Sequence, residues 1–490
     1  MTTRTGSTLL ILIALVAAET VAILETTMSI QLLRAPEGFF NVPLASMTWI
    51  LTAYTLAAGI AAAIGSRLGD IFGRRNVLAG ALALGGVGSL LSAVAPEFWI
   101  LVAGRAIQGS AGVVLPLAIG VVSATFPRER IASAVTIVSS SAIISGALGI
   151  LVGGMVLSAF NWHAIYWITA VAALLVAGLV LAWVPKDPKE TLDKTAKVDF
   201  LGAFLIAVGL GGTLFALTSG ANSGWLSPVV VVSGVTGAVF LVLFVLWQMR
   251  VTHPLFELST LRNRNVRNAM IMSVLLGFGP LGMYTALAAS LHRQPSSLEG
   301  VVFGVGIGVD PVMYGMLSAI SAAIGFGMAS LFGRIADKRG AWSILALGCL
   351  ICIGALGVHL IGPASFWFVV IAAAVFTVGS TCLFSGVPAL VVESVDQKMV
   401  SVTAAMAQNI RNVFQSVGTA VLGVLLSVGS ITVGETEFIT FPGLSAAVVA
   451  IVVPTAIVLL LTLGSKRLVA AKVSSDPAVA EEPGLRVAES

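Results

Sequence analysis

Charge is what this chain has least of. Asp, Glu, Lys and Arg make up 10% of its 490 residues, against 58% hydrophobic residues and a mean hydropathy of +1.04. That is too little polar surface to coat a soluble globule of this length, which leaves a polytopic membrane protein. Cysteine is also sparse. Cys349, Cys352 and Cys382 all fall in apolar runs, where a thiol acts as a small hydrophobe, and Cys349-Leu-Ile-Cys352 lacks the soluble strand-to-helix setting of a redox pair. No disulfide framework, metal site or cofactor is expected. The phosphate loop G-x-x-x-x-G-K-[ST] is missing, which excludes an ATP-driven motor of that type, and H-E-x-x-H and G-x-S-x-G are missing too, so an enzyme has no support. The net charge of +4 sits in short Lys and Arg clusters between apolar runs rather than along one basic face, so nucleic acid is not an expected partner.

Long apolar runs are what the chain has in abundance. At about 20 residues per crossing they predict fourteen helices, near 8–33, 46–65, 77–95, 98–125, 131–157, 163–184, 199–219, 228–249, 266–290, 309–332, 341–361, 366–390, 400–429 and 440–464. The stretch 291–310 reads either as an external loop or as an early start to the tenth helix. The first apolar run is too long for a signal-peptide core and has no small-residue cleavage site, so it reads as a retained helix. All Lys and Arg except Arg34, Arg293 and the intramembrane Arg105 and Arg411 fall on the face that carries Arg67, Arg74 and Arg75. The positive-inside rule places that face, and both termini, in the cytoplasm. High Ala, Gly and Val content without a targeting extension fits a bacterial cytoplasmic membrane.

The stretch Gly65-Ser-Arg-Leu-Gly-Asp-Ile-Phe-Gly-Arg-Arg75 is partly repeated as Gly333-Arg-Ile-Ala-Asp-Lys-Arg-Gly340, so that Arg67, Asp70 and Gly73 match Arg334, Asp337 and Gly340. A charged turn repeated in two membrane halves points to a duplicated transporter. Glycines allow a tight turn, and Asp70 can cap a helix or pair with Arg74 or Arg75 to latch one side; the plain alternative is an ordinary basic loop. The repeat divides the chain into a six-helix half at 1–184, a loop and two inserted helices at 185–250, a second six-helix half at 251–465, and an Ala-, Ser- and Pro-rich tail at 466–490, expected to be disordered.

With that loop the chain resembles the major facilitator superfamily, whose signature is G-x-L-x-D-x-x-G-R-R/K, with Ser66 in place of the first glycine. Met47-Thr-Trp-Ile-Leu-Thr-Ala-Tyr54, Asp199-Phe-Leu-Gly202, His253-Pro-Leu-Phe-Glu-Leu258 and Arg262-Asn-Arg-Asn265 look like the fourteen-helix drug:proton antiporters. The resemblance implies an all-α fold of two six-helix halves plus two central helices, with alternating access around a midplane cavity.

Four charges interrupt the apolar runs. Arg105, in Leu101-Val-Ala-Gly-Arg-Ala-Ile-Gln-Gly109, sits where an unpaired charge costs on the order of 3 kcal/mol; snorkelling is the bland account, and the resemblance links this position to proton transfer. Glu25 stands in Leu24-Glu-Thr-Thr, where the family usually has L-D-x-T, and a carboxyl there can take up and release a proton as the cavity opens to each side; pairing with Arg105 to hold helices together is the alternative. Glu19, six residues earlier, cannot share a face with Glu25 on a straight helix. Arg411, near Gln408, Asn412 and Gln415, can line the cavity of the second half or join a packing network. Met28 and Tyr54 are candidates for the apolar cavity surface. Gly146, Gly149, Gly153 and Gly154 lie in a stretch with small residues at spacings of four, which permits close helix contact, and Ile150 stands where the antiporters usually carry proline. The expected function is proton-coupled export of lipophilic, cationic drugs or toxic compounds by a monomer. Alternatives are a dedicated exporter of an endogenous metabolite or lipid, and a non-transporting membrane receptor or assembly factor.

Overall fold

The computed structural model describes residues 5–34, 42, 47, 49–187, 199–252, 254–256, 258–293, 297–298, 301–302, 304–433 and 436–475. His253 and Glu257 of the quoted stretch, the loop before Asp199 and the tail beyond Ser475 lie outside these residues. Among the described residues, fourteen helices are long and apolar enough to cross a membrane. They are α1 (Thr5–Ser29), α2 (Trp49–Phe72), α3 (Arg74–Ala93), α4 (Phe98–Thr125), α5 (Ile131–Ala159), α6 (Trp162–Trp183), α7 (Phe200–Ser223), α8 (Pro228–Gln248), α9 (Arg264–His292), α10 (Pro311–Arg339), α11 (Ala341–Ile361), α12 (Phe366–Ser394), α13 (Val400–Val428) and α14 (Phe441–Ser475).

The packing repeats as the sequence does. In the first half α1 packs on α5, α2 on α4, and α3 on α4 and α6; in the second, α9 packs on α13, α10 on α12, and α11 on α12 and α14. The inserted α7 and α8 pack on each other. The result is two six-helix halves plus two central helices. Two seams join the halves, α5 against α10 and α12, and α2 and α4 against α13. Ala147 packs with Ala319 and Ala322 in the middle of the first. Beside the second lies α7, touching both α2 and α13. A Cβ on Gly59 of α2 would meet Leu210 Cδ1 of α7 at 3.0 Å, and one on Gly211 would meet Leu56 at 3.7 Å.

Several elements depart from plain helix. A 3-10 turn, Gly109–Val113, interrupts α4, and a π-helical stretch, Gly277–Met283, holds Pro280 inside α9. The stretch 291–310 holds a small hairpin, β1 (Ser297–Leu298) with β2 (Val301–Val302), and residues 304–310 are tied back through Val305 N–H to Ile439 O, Ile307 N–H to Leu291 O and Val309 N–H to His292 O. Residues 304–310 therefore precede the helix rather than starting it early, since α10 begins at Pro311. A second hairpin, β3 (Ser430–Val433) with β4 (Thr436–Ile439), follows α13. The last helix continues to Ser475, so 466–475 is helical rather than part of a tail without structure.

Close backbone approach fixes α3 against α4. A Cβ on Gly88 would lie 2.6 Å from Gly104 O and 2.7 Å from Gln108 N, both backbone atoms that cannot swing aside. Gly88→Leu is therefore expected to force these helices apart at a cost of about 3 kcal/mol or more, seen as a lowered melting temperature in detergent. Unchanged melting would remove this contact from the account of the fold.

Candidate functional site

The charged turn is mostly helix. Asp70 sits in the last turn of α2, and Gly73 alone separates α2 from α3, with φ of 88°, a backbone that glycine adopts without steric cost. Gly340 does the same between α10 and α11 with φ of 80°. The Asp70 carboxylate lies 3.9 Å from both Arg67 and Arg74, whereas Arg75 turns away and donates to Leu181 O of α6, so of the two pairings weighed Arg74 makes one, joined by Arg67.

The same face ties the two halves together. Arg74 donates from Nη1 to Gly120 O at 2.9 Å and from Nη2 to Gln397 O at 2.8 Å, crossing from α3 into the α12–α13 connection. Gln397 returns a bond to Ser123 O. Across the other seam Asp337 accepts from Ser133 N at 3.1 Å and from the Ser133 hydroxyl, so the second half's aspartate caps the start of α5 in the first half. A further bond between halves, Asn409 Nδ2 to Gly59 O at 3.1 Å, lies deeper along the α2–α13 seam. Arg334, the repeat counterpart of Arg67, is exposed.

Deeper in the first half, Arg105 is fully buried. It donates from Nε to Ile50 O at 2.9 Å and from Nη1 to Glu25 O at 2.8 Å and Gln108 Oε1 at 2.7 Å, while its guanidinium lies 4.6 Å over the Tyr54 ring. One side chain thus binds α1, the start of α2 and its own helix. With burial complete, the guanidinium does not reach the protein surface, as snorkelling would require. The Glu25 carboxylate is not the acceptor; Arg105 holds the Glu25 carbonyl instead. Glu25, 1% exposed, points its carboxylate toward Gly85 of α3, where an added Cβ would lie 3.4 Å from Oε1. Among the described residues, Glu25 Oε2 and Arg105 Nη2 both lack hydrogen-bond partners.

Tyr54 donates its hydroxyl to Ala22 O at 2.9 Å, and Met28 is buried where α1 meets Gly153, whose added Cβ would come within 2.8 Å of Met28 Cα. Gly146 and Gly149 face Ile23 and Thr27 of α1, and Gly154 faces Gln31. The glycine run therefore seats α5 on α1. Glu19, on the other side of α1, is within electrostatic reach of Arg411 on α13. Gln415, one turn beyond Arg411, is half-buried; its carbonyl accepts from Thr419 Oγ1 at 3.0 Å. Sequence reasoning missed Gln108, Ser89, Ser133 and Gln397. Gln108, which also donates to Ser89 Oγ, had a signal in its position three residues after Arg105; the others are uncharged polar residues of a common kind.

The sequence profile of the Major Facilitator Superfamily matches residues 6–421. Among curated relatives, the uncharacterized MFS-type transporter YcnB of Bacillus subtilis is 27% identical over 92% of this chain and 94% of its own length. The methylenomycin A resistance protein of Bacillus subtilis is 27% identical over 87% of this chain and 88% of its own. Among solved structures, the human organic anion transporter MFSD10 (TETRAN) superimposes with a TM-score of 0.64 at 13% identity, covering 94% of this chain and 99% of that one.

Proposed function

The chain belongs to the major facilitator superfamily, and from that premise we propose that it exports lipophilic drugs or toxic compounds bearing a cationic group, in exchange for protons, by rocking α1–α6 against α9–α14. The observation that carries the coupling is Glu25: a buried carboxylate with an unbonded oxygen, one side chain away from a guanidinium fixed on three acceptors. Arg105 cannot follow the carboxylate without leaving those acceptors, so Glu25 alone is free to change its protonation partner as the cavity alternates. The drug-resistance name of a relative that spans most of the chain supports the cargo class.

In this reading the face with Asp70 and Asp337 is cytoplasmic, in a bacterial cytoplasmic membrane, and the bonds of Arg74 and Asp337 hold that side shut. The protein acts as a monomer. Glu19, Met28, Tyr54, Arg411 and Gln415 contribute to the cavity.

The test is efflux of a fluorescent organic cation from a pump-deficient bacterial host. Wild-type efflux is expected to collapse with a protonophore, and Glu25→Gln at equal expression is expected to lose at least about tenfold of the proton-driven rate. Efflux indifferent to the protonophore would remove proton coupling; no movement of any cation would turn the reading to a dedicated metabolite or lipid cargo.

A further inference from the structure

We propose that Ser89 is the positioning residue through which Arg105 acts on Glu25: its hydroxyl donates to the Glu25 carboxylate while that group is ionised and turns to Thr169 when Glu25 takes up a proton. This rests on the reading of Glu25 as the coupling acid and names the group that answers to its charge.

The direction of each bond follows from Arg105, which can only donate. Its Nη1 lies 2.7 Å from Gln108 Oε1, so the amide oxygen of Gln108 faces the guanidinium and the amide nitrogen faces away. That nitrogen donates to Ser89 Oγ. The Ser89 oxygen is therefore an acceptor, and its one hydrogen must point elsewhere. Thr169 Oγ1 lies 3.3 Å from Ser89 Oγ and 3.2 Å from Tyr166 O. Thr169 has a single hydrogen; given to Tyr166 O, it leaves Thr169 Oγ1 open to accept from Ser89. Ser89 and Gln108 are wholly buried and Thr169 nearly so, which keeps water from competing for these bonds.

The other acceptor is Glu25. Its two carboxylate oxygens would lie 3.4 and 3.5 Å from a Cβ on Gly85, and Ser89 stands one turn further along the same face of α3. The Ser89 hydroxyl is within hydrogen-bonding reach of the carboxyl, and Glu25 Oε2 has no donor among the described residues. An ionised carboxylate is the stronger acceptor and draws the hydroxyl from Thr169; a protonated one is not. The titratable side chains around Glu25 are Arg105 of α4, Tyr54 of α2, Tyr166 of α6 and, on its own helix, Glu19; α5 has none, and α3 has only Arg74 and Arg75 at its far start. Arg105 is the cation among them, and the Gln108–Ser89 chain carries its polarisation to a carboxylate it does not touch.

Infrared difference spectroscopy on the purified protein in nanodiscs tests this without any cargo. The carboxyl band that Glu25→Gln removes is followed from about pH 5 to about pH 10. Ser89→Ala is expected to raise its midpoint by about one pH unit, the effect of losing one hydrogen bond to a charged group. Ser89→Thr, which keeps the hydroxyl, should restore the wild-type midpoint, and Thr169→Val, which removes the competing acceptor, should not raise it. An unmoved midpoint in Ser89→Ala, an equal rise in Ser89→Thr or Thr169→Val, or no titrating band that depends on Glu25 overturns the proposal. A failure of proton coupling would show instead as protonophore-sensitive efflux that survives Glu25→Gln while these midpoints stood.

Discussion

Arg105→Ala is expected to abolish transport and to lower stability by roughly 3–5 kcal/mol, because three buried acceptors lose a charged donor together. The Ile50 and Glu25 carbonyls and Gln108 Oε1 sit where no water reaches, and the fully buried guanidinium is what draws them together. Without it, α1 loses its bond to α4, the start of α2 loses its anchor, and the Tyr54 ring loses the cation over its face. Arg105→Lys should recover part of the stability but little of the transport, since one ammonium cannot serve three acceptors spread in the plane of a guanidinium. Melting in detergent and efflux, measured on the same preparations, separate the two effects. An Arg105→Ala protein that melts and transports like the wild type would refute the clasp.

The second large effect lies at the face that carries the repeat. Asp337→Ala removes both bonds to Ser133 and with them the cap on the start of α5. For a partly exposed group the loss is about 2 kcal/mol, enough to shift the balance away from the closed arrangement by about thirtyfold. A cysteine in place of Ala147, buried between Ala319 and Ala322 in the α5–α10 seam, reports that shift. Its labelling by a membrane-impermeant thiol reagent from the Asp337 face should accelerate by a similar factor in the Asp337→Ala background. Ser133→Ala keeps the backbone bond and should give a smaller change. Because Arg74 grips Gln397 at a separate place, adding Arg74→Ala should act independently of Asp337→Ala. Labelling at the wild-type rate in the double variant would dismiss both contacts as latches.

How much of this was readable in the residues follows from what each residue announces. A charge inside an apolar run stands out, and Glu19, Glu25, Arg105 and Arg411 could each be found from the sequence. Their partners could not: Arg105 is held chiefly by main-chain carbonyls, which every residue possesses, and Arg74 by the carbonyls of Gly120 and Gln397. The helices were legible because about 20 apolar residues leave few alternatives in a membrane, but their ends were not. Charge marks where a helix leaves the bilayer, not where hydrogen bonding stops. So α2 runs through Asp70 to Phe72, and α14 continues through helix-favouring Ala470 and Ala471 to Ser475. The two hairpins stayed hidden because strands of two to four residues are too short to show an alternating pattern.

The placement of α7 has a mechanical consequence. It rests on α2 of one half and α13 of the other, with Leu210 pressed against Gly59 where Asn409 of α13 also bonds. Any separation of the halves along that seam must shear α7 over at least one of them and change the outline that the protein presents to lipid. Transport work is therefore done partly against the lateral pressure of the membrane, so acyl-chain length and packing belong among the variables that set its rate.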